Sequence, residues 1–220
     1  MIATNVRGGY AEQVLVAGSD VGHKPANVSF EQAAGLILVG GTAWHLLTKT
    51  DVGTGETVLI HGASGGVGLM AVQLAIARGA RVIGTASIAR HGQLREYGAH
   101  PVAYGPGLAD RVRAIAAVDA ALDLVGTDEA LDTSVELVAD RGRIATIAGF
   151  GRAGELGIAA LTGADGGQAI RDAARPELIK LAAEGRLEVT VDRVFALAEA
   201  AEAHRYLQTG HARGKVVLVP

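Results

Sequence analysis

A glycine-rich segment, Ala63-Ser64-Gly65-Gly66-Val67-Gly68, follows the short apolar run at residues 58–60. It matches the pattern G/A-x-G-x-x-G, in which a strand turns directly into a helix. The first N–H groups of a helix have no partner within it and lie at the positive end of its dipole, so they bind anions such as a pyrophosphate. The six residues therefore predict a dinucleotide site, and a purely structural turn is the alternative.

The next apolar run ends in Gly84-Thr85-Ala86-Ser87 and discriminates between the two nicotinamide cofactors. NAD-binding folds usually place a carboxylate here to bind the ribose 2′-hydroxyl, yet the first carboxylate after this run is Glu96. Ser87, Arg90 and His91 occupy the place instead, and a hydroxyl with cations suits a 2′-phosphate. We predict NADPH as the cofactor; the alternative is that the two cations are only solvated helix-start residues.

Two other chemistries have less support. Zinc catalysis needs protein ligands such as Cys, His and Glu, but the chain has no cysteine and its seven histidines show no ligand spacing. No metal site is predicted. The segment around Ser64 resembles the G-x-S-x-G elbow of hydrolases, but no Asp-then-His pair with a supporting context follows it.

Short continuous apolar runs alternate with helical patterns from residue 57 onward, which is typical of parallel strands buried on both faces. We predict a Rossmann α/β fold, with a doubly wound parallel six-stranded sheet and helices on both faces. The predicted strands of this sheet lie at residues 58–60, 81–84, 101–103, 120–125, 143–147 and 157–161. Helices are expected at residues 30–48, 67–78, around 94–97, and at 108–116, 129–139, 177–184 and 198–207. Two further strands are predicted at residues 10–17 and 215–219.

Local signals refine these helices. Ser29 and Gln32 have the spacing of a capping box at the start of the first helix. The pair Gly40-Gly41 is expected to interrupt or kink that helix, because glycine is a poor helix former. Pro176 suits the first turn of the helix at 177–184, where its missing N–H is harmless.

Composition excludes several functional classes. The net charge is −3 and no basic stripe is present, so nucleic acid is not a predicted partner. The chain begins without the basic-then-apolar pattern of a signal peptide, and its apolar stretches fall short of the ~20 residues that span a bilayer. We expect a cytoplasmic protein with no membrane partner.

Several motifs occur in a recognisable order along nearly the whole chain. They are Arg7-Gly8-Gly9-Tyr10-Ala11-Glu12, Gly41-Thr42-Ala43-Trp44, the glycine-rich turn, Tyr97-Gly98-Ala99 and Arg213-Gly214-Lys215-Val216-Val217-Leu218. Together they resemble the zinc-independent quinone oxidoreductase-like branch of the medium-chain dehydrogenase/reductase (zinc-type alcohol dehydrogenase-like) superfamily.

The resemblance implies further cofactor contacts. Ser87 matches the start of the family's 2′-phosphate loop, and His91 stands where the family often has a lysine. Tyr104 matches a tyrosine on the adenosine side. The other implied positions lie in the first helix and after the fourth and fifth strands: Thr42, Val125, Gly126, Gly149 and Phe150.

The resemblance also implies a second domain. Family members carry a GroES-like β-domain, most of which would precede Met1. Residues 1–24 would then be a remnant of that catalytic domain, residues 25–191 the dinucleotide-binding domain, and residues 192–220 the return to the catalytic domain.

The implied activity is zinc-independent hydride transfer from NADPH to a small molecule, either a quinone or an α,β-unsaturated carbonyl compound. No catalytic acid or base is identified by the sequence. The alternative is a truncated, non-catalytic dinucleotide-binding module. The resemblance further implies a homodimer joined at the sheet edge formed by residues 157–161, which are apolar and uncharged.

Overall fold

A computed structural model describes residues 1–162, 166–210 and 212–220. The central sheet has six strands: β3 (Thr57–His61), β4 (Arg81–Thr85), β5 (His100–Val102), β6 (Ala120–Asp123), β7 (Ile144–Thr146) and β8 (Ala159–Ala160). Two small two-stranded sheets lie outside it, built from β1 (Ile2–Ala3), β2 (Val21–Gly22), β9 (Val191–Ala196) and β10 (Lys215–Val219).

Eight α-helices connect the strands in the described part of the chain. They are α1 (Phe30–Lys49), α2 (Gly66–Ala77), α3 (His91–Glu96), α4 (Leu108–Arg113), α5 (Asp128–Leu137), α6 (Phe150–Leu156), α7 (Gln168–Ala183) and α8 (Ala200–Gln208). None of the helices in the described ranges combines the length and apolar composition needed to cross a membrane.

The central sheet is wholly parallel, with strand order β5-β4-β3-β6-β7-β8. This order confirms the predicted doubly wound six-stranded fold. Along β3, Val58 and Ile60 point into one apolar cluster and Leu59 into the other, as the two-residue period of a strand requires. Helices α1, α2 and α7 cover the first face, and α4, α5 and α6 cover the second. The layers predicted from the apolar runs are therefore present.

The first helix is continuous, so the expected break at Gly40-Gly41 is wrong. Both glycines are buried against α7: a Cβ at Gly40 would lie 3.2 Å from the Leu178 side chain. Close helix packing outweighs the low intrinsic propensity of glycine. The Ser29–Gln32 capping box at its start is present, with both reciprocal hydrogen bonds at 3.1 Å.

Two further expectations are wrong. Residues 10–17 form no strand; Leu15 is 98% exposed, and an isolated extended segment has no ladder to satisfy its backbone groups. Pro176 lies inside α7, which begins eight residues earlier than the proline. The packing of Ala174 and Leu178 in the core holds the helix across it.

The chain also contains a strand that the sequence analysis did not predict. Strand β9 pairs in parallel with β10, which was predicted at residues 215–219. Helix α8 and a short 3₁₀ turn, Leu197–Glu199, connect the two.

Candidate functional site

The glycine-rich turn connects the carboxyl end of β3 to α2. Gly62 adopts a φ of 71°, and Thr85 holds the turn from β4: its hydroxyl accepts from the Gly62 N–H at 3.2 Å and its carbonyl from the Ala63 N–H at 3.0 Å. Helix α2 begins at Gly66 with no side-chain cap and no acidic residue in its first turn. Its free N–H groups and dipole are thus available to an anion.

Glycine is required at some positions of this turn by the fold and at others only by a ligand. A Cβ at Gly68 would lie 2.6 Å from the Ala63 carbonyl oxygen and closer still to that of Gly62, and one at Gly84 would lie 2.7 Å from the Ala63 methyl. A Cβ at Gly65 would meet only the Gly62 oxygen, at 3.4 Å, and this residue is exposed. No contact among the described residues requires a glycine at position 65, whereas close approach of a phosphate does.

A cleft of about 910 Å³ opens beside this turn. It lies where the strand order reverses, between the carboxyl ends of β3 and β6, which is where open α/β sheets bind their ligands. Its lining includes Gly62, Ser64 and Gly65 from the turn. The predicted turn and the cleft therefore form one site.

Cations and an aromatic ring line one end of the cleft. Ser87, Arg90 and Tyr104 are all in the lining, as predicted, and Arg213 joins them from the segment before β10. The Arg90 guanidinium also donates to the Ala212 carbonyl at 3.3 Å, so it ties the two segments together. His91 is not in the lining; its Nε2 lies 3.3 Å from the Ala86 carbonyl oxygen. The cations in the lining are thus Arg90, as predicted, and Arg213, which was not predicted, whereas the predicted His91 lies outside it.

A buried polar network holds the opposite side. The Asp123 carboxylate, at the end of β6, accepts from the Val125 and Gly126 N–H groups at 3.1 and 2.9 Å. Its other oxygen accepts from the Thr146 hydroxyl at 2.6 Å. The Thr146 oxygen in turn accepts from the N–H groups that follow β7, including that of Gly149 at 2.7 Å. One hydrogen bond between two strand ends thus fixes two loops.

His61 is the last residue of β3, and its side chain is enclosed. Burial lowers the pKa of its imidazole to about 4, and the neighbouring Asp123 carboxylate raises this pKa by less than burial lowers it. Its Nε2 has no hydrogen-bond partner in the described structure. The ring is therefore neutral at physiological pH.

Lys215, the first residue of β10, lies beside the start of α2. A Cβ at Gly66 would be 3.2 Å from the lysine Cδ, and one at Gly35 would be 3.0 Å from its Cγ. Burial lowers the pKa of this amine, and no carboxylate of the described residues pairs with it. A cation beside the positive end of a helix suits a bound anion.

The remaining predicted residues divide into two groups. Val125 lines the cleft and Gly126 adjoins it, with a φ of 76° and no room for a side chain beside Ala148. Three others lie outside the lining. The Thr42 hydroxyl donates to the Leu38 carbonyl within α1, Gly149 is buried against Leu131, and Phe150 begins α6.

Four residues missed by the sequence analysis share a recognisable signal. His61, Thr85, Asp123 and Thr146 are buried polar residues, and each is the last residue of a central strand. A polar residue that ends an apolar run could have identified them. Arg213 had no such signal, because only the fold brings it to the cleft.

The structure adds no support for zinc catalysis or for a serine hydrolase. Among the described residues, no group of three histidines or carboxylates is arranged to hold a metal ion. Within the same residues, no hydrogen bond joins Ser64 to a histidine, so a hydrolase triad is not formed there.

Comparison with known proteins identifies the family. A family model described as zinc-binding dehydrogenase matches residues 97–218. A quinone oxidoreductase of Pseudomonas aeruginosa is 35% identical over 243 residues, covering 99% of this chain and 73% of the relative. The chain belongs to the quinone oxidoreductase branch of the medium-chain dehydrogenase/reductase superfamily. This membership assigns it a general oxidoreductase role and a nicotinamide dinucleotide as cofactor.

Other members show the same relationship. The mitochondrial NAD(P)H oxidoreductase RTN4IP1 of Danio rerio is 29% identical, and the match covers 96% of this chain but 62% of that relative. The structure of the quinone oxidoreductase from Coxiella burnetii superimposes with a TM-score of 0.78 at 33% identity, over 94% of this chain and 66% of that one. The chain thus spans about two thirds of the length of these relatives.

Proposed function

We propose that this chain binds NADPH in the cleft and promotes the transfer of a hydride from NADPH to a quinone or an α,β-unsaturated carbonyl compound. Zinc takes no part in this reaction. The observation that carries the proposal is the presence of two arginines, Arg90 and Arg213, in the lining of the cleft together with Ser87. Two cations beside the Ser87 hydroxyl suit a dianionic 2′-phosphate. No carboxylate follows β4 to select a free 2′-hydroxyl instead.

Each part of the cleft has a role in this proposal. The N–H groups at the start of α2 hold the pyrophosphate, and Lys215, which packs beside the start of this helix outside the cleft lining, adds positive charge nearby. The loops fixed by Asp123 and Thr146 support the nicotinamide side. When bound, the nicotinamide supplies the hydride, and the protein supplies orientation and electrostatics. We assign Thr42, Gly149 and Phe150 no direct contact.

We do not propose His61 as a proton donor in the reaction. Because its pKa is about 4, the imidazolium form is present in only about one molecule in a thousand at neutral pH. The buried neutral ring instead forms part of the cleft floor.

A second candidate is a dinucleotide-binding module without turnover. Val125, in the cleft lining on the nicotinamide side, is 48% exposed, so water reaches this side of the cleft. Hydride transfer benefits from exclusion of water. We propose the same division of the chain as the family suggests, with residues 1–24 and 192–220 belonging to a catalytic domain and residues 25–191 to the dinucleotide domain.

An assay with acceptors separates the two candidates. The purified chain is mixed with NADPH and a panel of quinones and enones, and the loss of reduced nicotinamide absorbance is followed. Oxidation that depends on the acceptor supports the oxidoreductase. NADPH binding with no turnover for any acceptor supports the module. Gly65→Val serves as the control, since a branched side chain blocks the approach of the pyrophosphate, while a Cβ at this position makes only a 3.4 Å contact with the Gly62 carbonyl oxygen in the free protein.

We also propose a homodimer through the edge strand β8. This strand pairs with β7 on one side only among the described residues. Pairing two such edges satisfies their free backbone groups. Sedimentation should show a dimer, and Ala159→Pro should weaken it because proline removes a donor. A monodisperse wild-type monomer at micromolar concentration would contradict the proposal.

A further inference from the structure

The loop at residues 103–107, between β5 and α4, presents Tyr104 to the cleft. The tyrosine is 61% exposed and lies in the cleft lining. Its neighbours Gly105 and Gly107 have φ values of 108° and 80°, which few residues other than glycine adopt. The loop therefore has an irregular backbone conformation, and contacts from outside the loop must stabilise it.

Arg111, on α4, stabilises this loop by hydrogen bonds to its backbone. Its guanidinium donates to the Ala103 carbonyl from Nε at 3.2 Å and from Nη2 at 2.9 Å. The same Nη2 donates to the Gly105 carbonyl at 2.8 Å, and Nη1 donates to the Pro106 carbonyl at 2.7 Å. The arginine thus grips the backbone on both sides of Tyr104. The planar guanidinium of arginine has several N–H donors in fixed directions and can bond all three carbonyls. The ammonium group of a lysine cannot reach all three.

Glu129, on α5, holds the same loop from the side of the cleft. Its Oε2 accepts from the Gly105 N–H at 2.9 Å, and the residue is itself in the cleft lining. Arg111 and Glu129 therefore satisfy both the carbonyl and the N–H of Gly105. The two side chains come from different helices.

We infer that Arg111 and Glu129 are positioning residues that set Tyr104 in place to stack on the adenine ring of the cofactor. This inference rests on the proposed binding of a dinucleotide in the cleft. A loop that is already ordered loses less conformational freedom on binding, so more of the stacking energy appears as affinity. Adenine is common to NADPH and NADH, so these residues act on affinity and not on the choice between the two cofactors.

The binding test is a double-mutant cycle with NADPH and NADH as probes. Tyr104→Ala should weaken both by about tenfold, the scale of one base-aromatic contact. Arg111→Lys keeps the charge but loses the fork, and it should weaken both by about fivefold. In the Tyr104→Ala background, Arg111→Lys should change neither affinity. An equal loss in both backgrounds, or no loss in either, would overturn the inference.

Two controls separate positioning from general damage. Arg113→Lys, on the same helix, alters an exposed ion pair with Glu136 and should leave both affinities unchanged. Glu129→Ala should speed amide hydrogen exchange at Gly105 in the protein without cofactor, and Glu129→Gln should restore slow exchange because its carbonyl still accepts. Fast exchange in the wild type would overturn the inference whatever cofactor the cleft prefers. A changed NADPH-to-NADH ratio would instead concern the proposed function.

Discussion

The two sides of the cleft are held by different forces. The side formed by β6 and β7 depends on buried groups: Asp123 and Thr146 are fully enclosed and share one hydrogen bond. The other side, after β4, presents the partly exposed Arg90 and the exposed Arg213 on short connections. Buried polar groups are costly to leave unpaired, while exposed charges contribute little to the stability of the fold.

This difference separates stability from selectivity. A change on the buried side should disturb the loops, lower stability and weaken every dinucleotide equally. A change on the charged side should cost little stability, because the hydrogen bond from Arg90 to the Ala212 carbonyl is long, and such a change should mainly affect a ligand with a 2′-phosphate.

The largest effect is expected at the glycine-rich turn. Gly68→Ala would place a methyl group within 2.6 Å of the Ala63 oxygen, so it should lower the free energy of unfolding by roughly 3 kcal/mol or more. Gly65→Ala meets only ordinary contact and should change stability by less than about 1 kcal/mol. Urea denaturation measures both. Equal losses in the two variants would show that the turn is not packed as described.

The next effect concerns the buried network. Thr146→Val keeps the shape but removes the hydroxyl, so Oδ2 of Asp123 loses its donor and the Ala148 and Gly149 N–H groups lose their acceptor, while Oδ1 of Asp123 keeps its two backbone donors. We expect a loss of roughly 2–4 kcal/mol in the free energy of unfolding and equal weakening of NADPH and NADH. Thr146→Ser retains the hydroxyl and should lose much less. A preference between the cofactors that shifts in Thr146→Val would contradict the division between the two sides.

Much of this architecture could be predicted from the sequence, because a buried parallel strand is a continuous apolar run and a pyrophosphate turn needs small residues at fixed spacing. The failures have physical causes. Residues 10–17 have the alternation of a strand, but pairing depends on a neighbour, and they are exposed. At Gly40 and Pro176, the packing of α1 against α7 outweighs the low intrinsic helix propensities of glycine and proline.

The candidate site was predictable to the extent that it is local. Ser87 and Arg90 follow β4 directly and lie where expected. Arg213 is more than a hundred residues away in sequence, so no spacing rule places it in the cleft. His91 is next to Arg90, yet the start of α3 turns it towards the Ala86 carbonyl.

A smaller effect is expected from pH. The imidazole of His61 has a pKa of about 4 in the folded protein, against about 6.5 when unfolded. Below pH 6.5 the unfolded chain binds the proton and the folded protein does not, so stability falls as the pH falls towards 4. Between pH 7 and pH 5 this residue should account for about 2 kcal/mol.

Denaturation of wild type and His61→Gln at both pH values isolates this contribution. The variant should lose less stability than wild type on acidification. Parallel pH dependence in the two proteins would show that the imidazole is not held neutral by burial.

The choice of NADPH is tested most directly by the dissociation constants of NADPH and NADH, measured at one ionic strength for wild type and for Arg90→Ala with Arg213→Ala. Wild type should bind NADPH more tightly. Each arginine should contribute about 1–2 kcal/mol to that preference, so the double variant should bind the two cofactors almost equally, with NADH affinity unchanged. His91→Ala is the control and should behave as wild type. Equal affinities in wild type, or tighter binding of NADH, would contradict the assignment of NADPH.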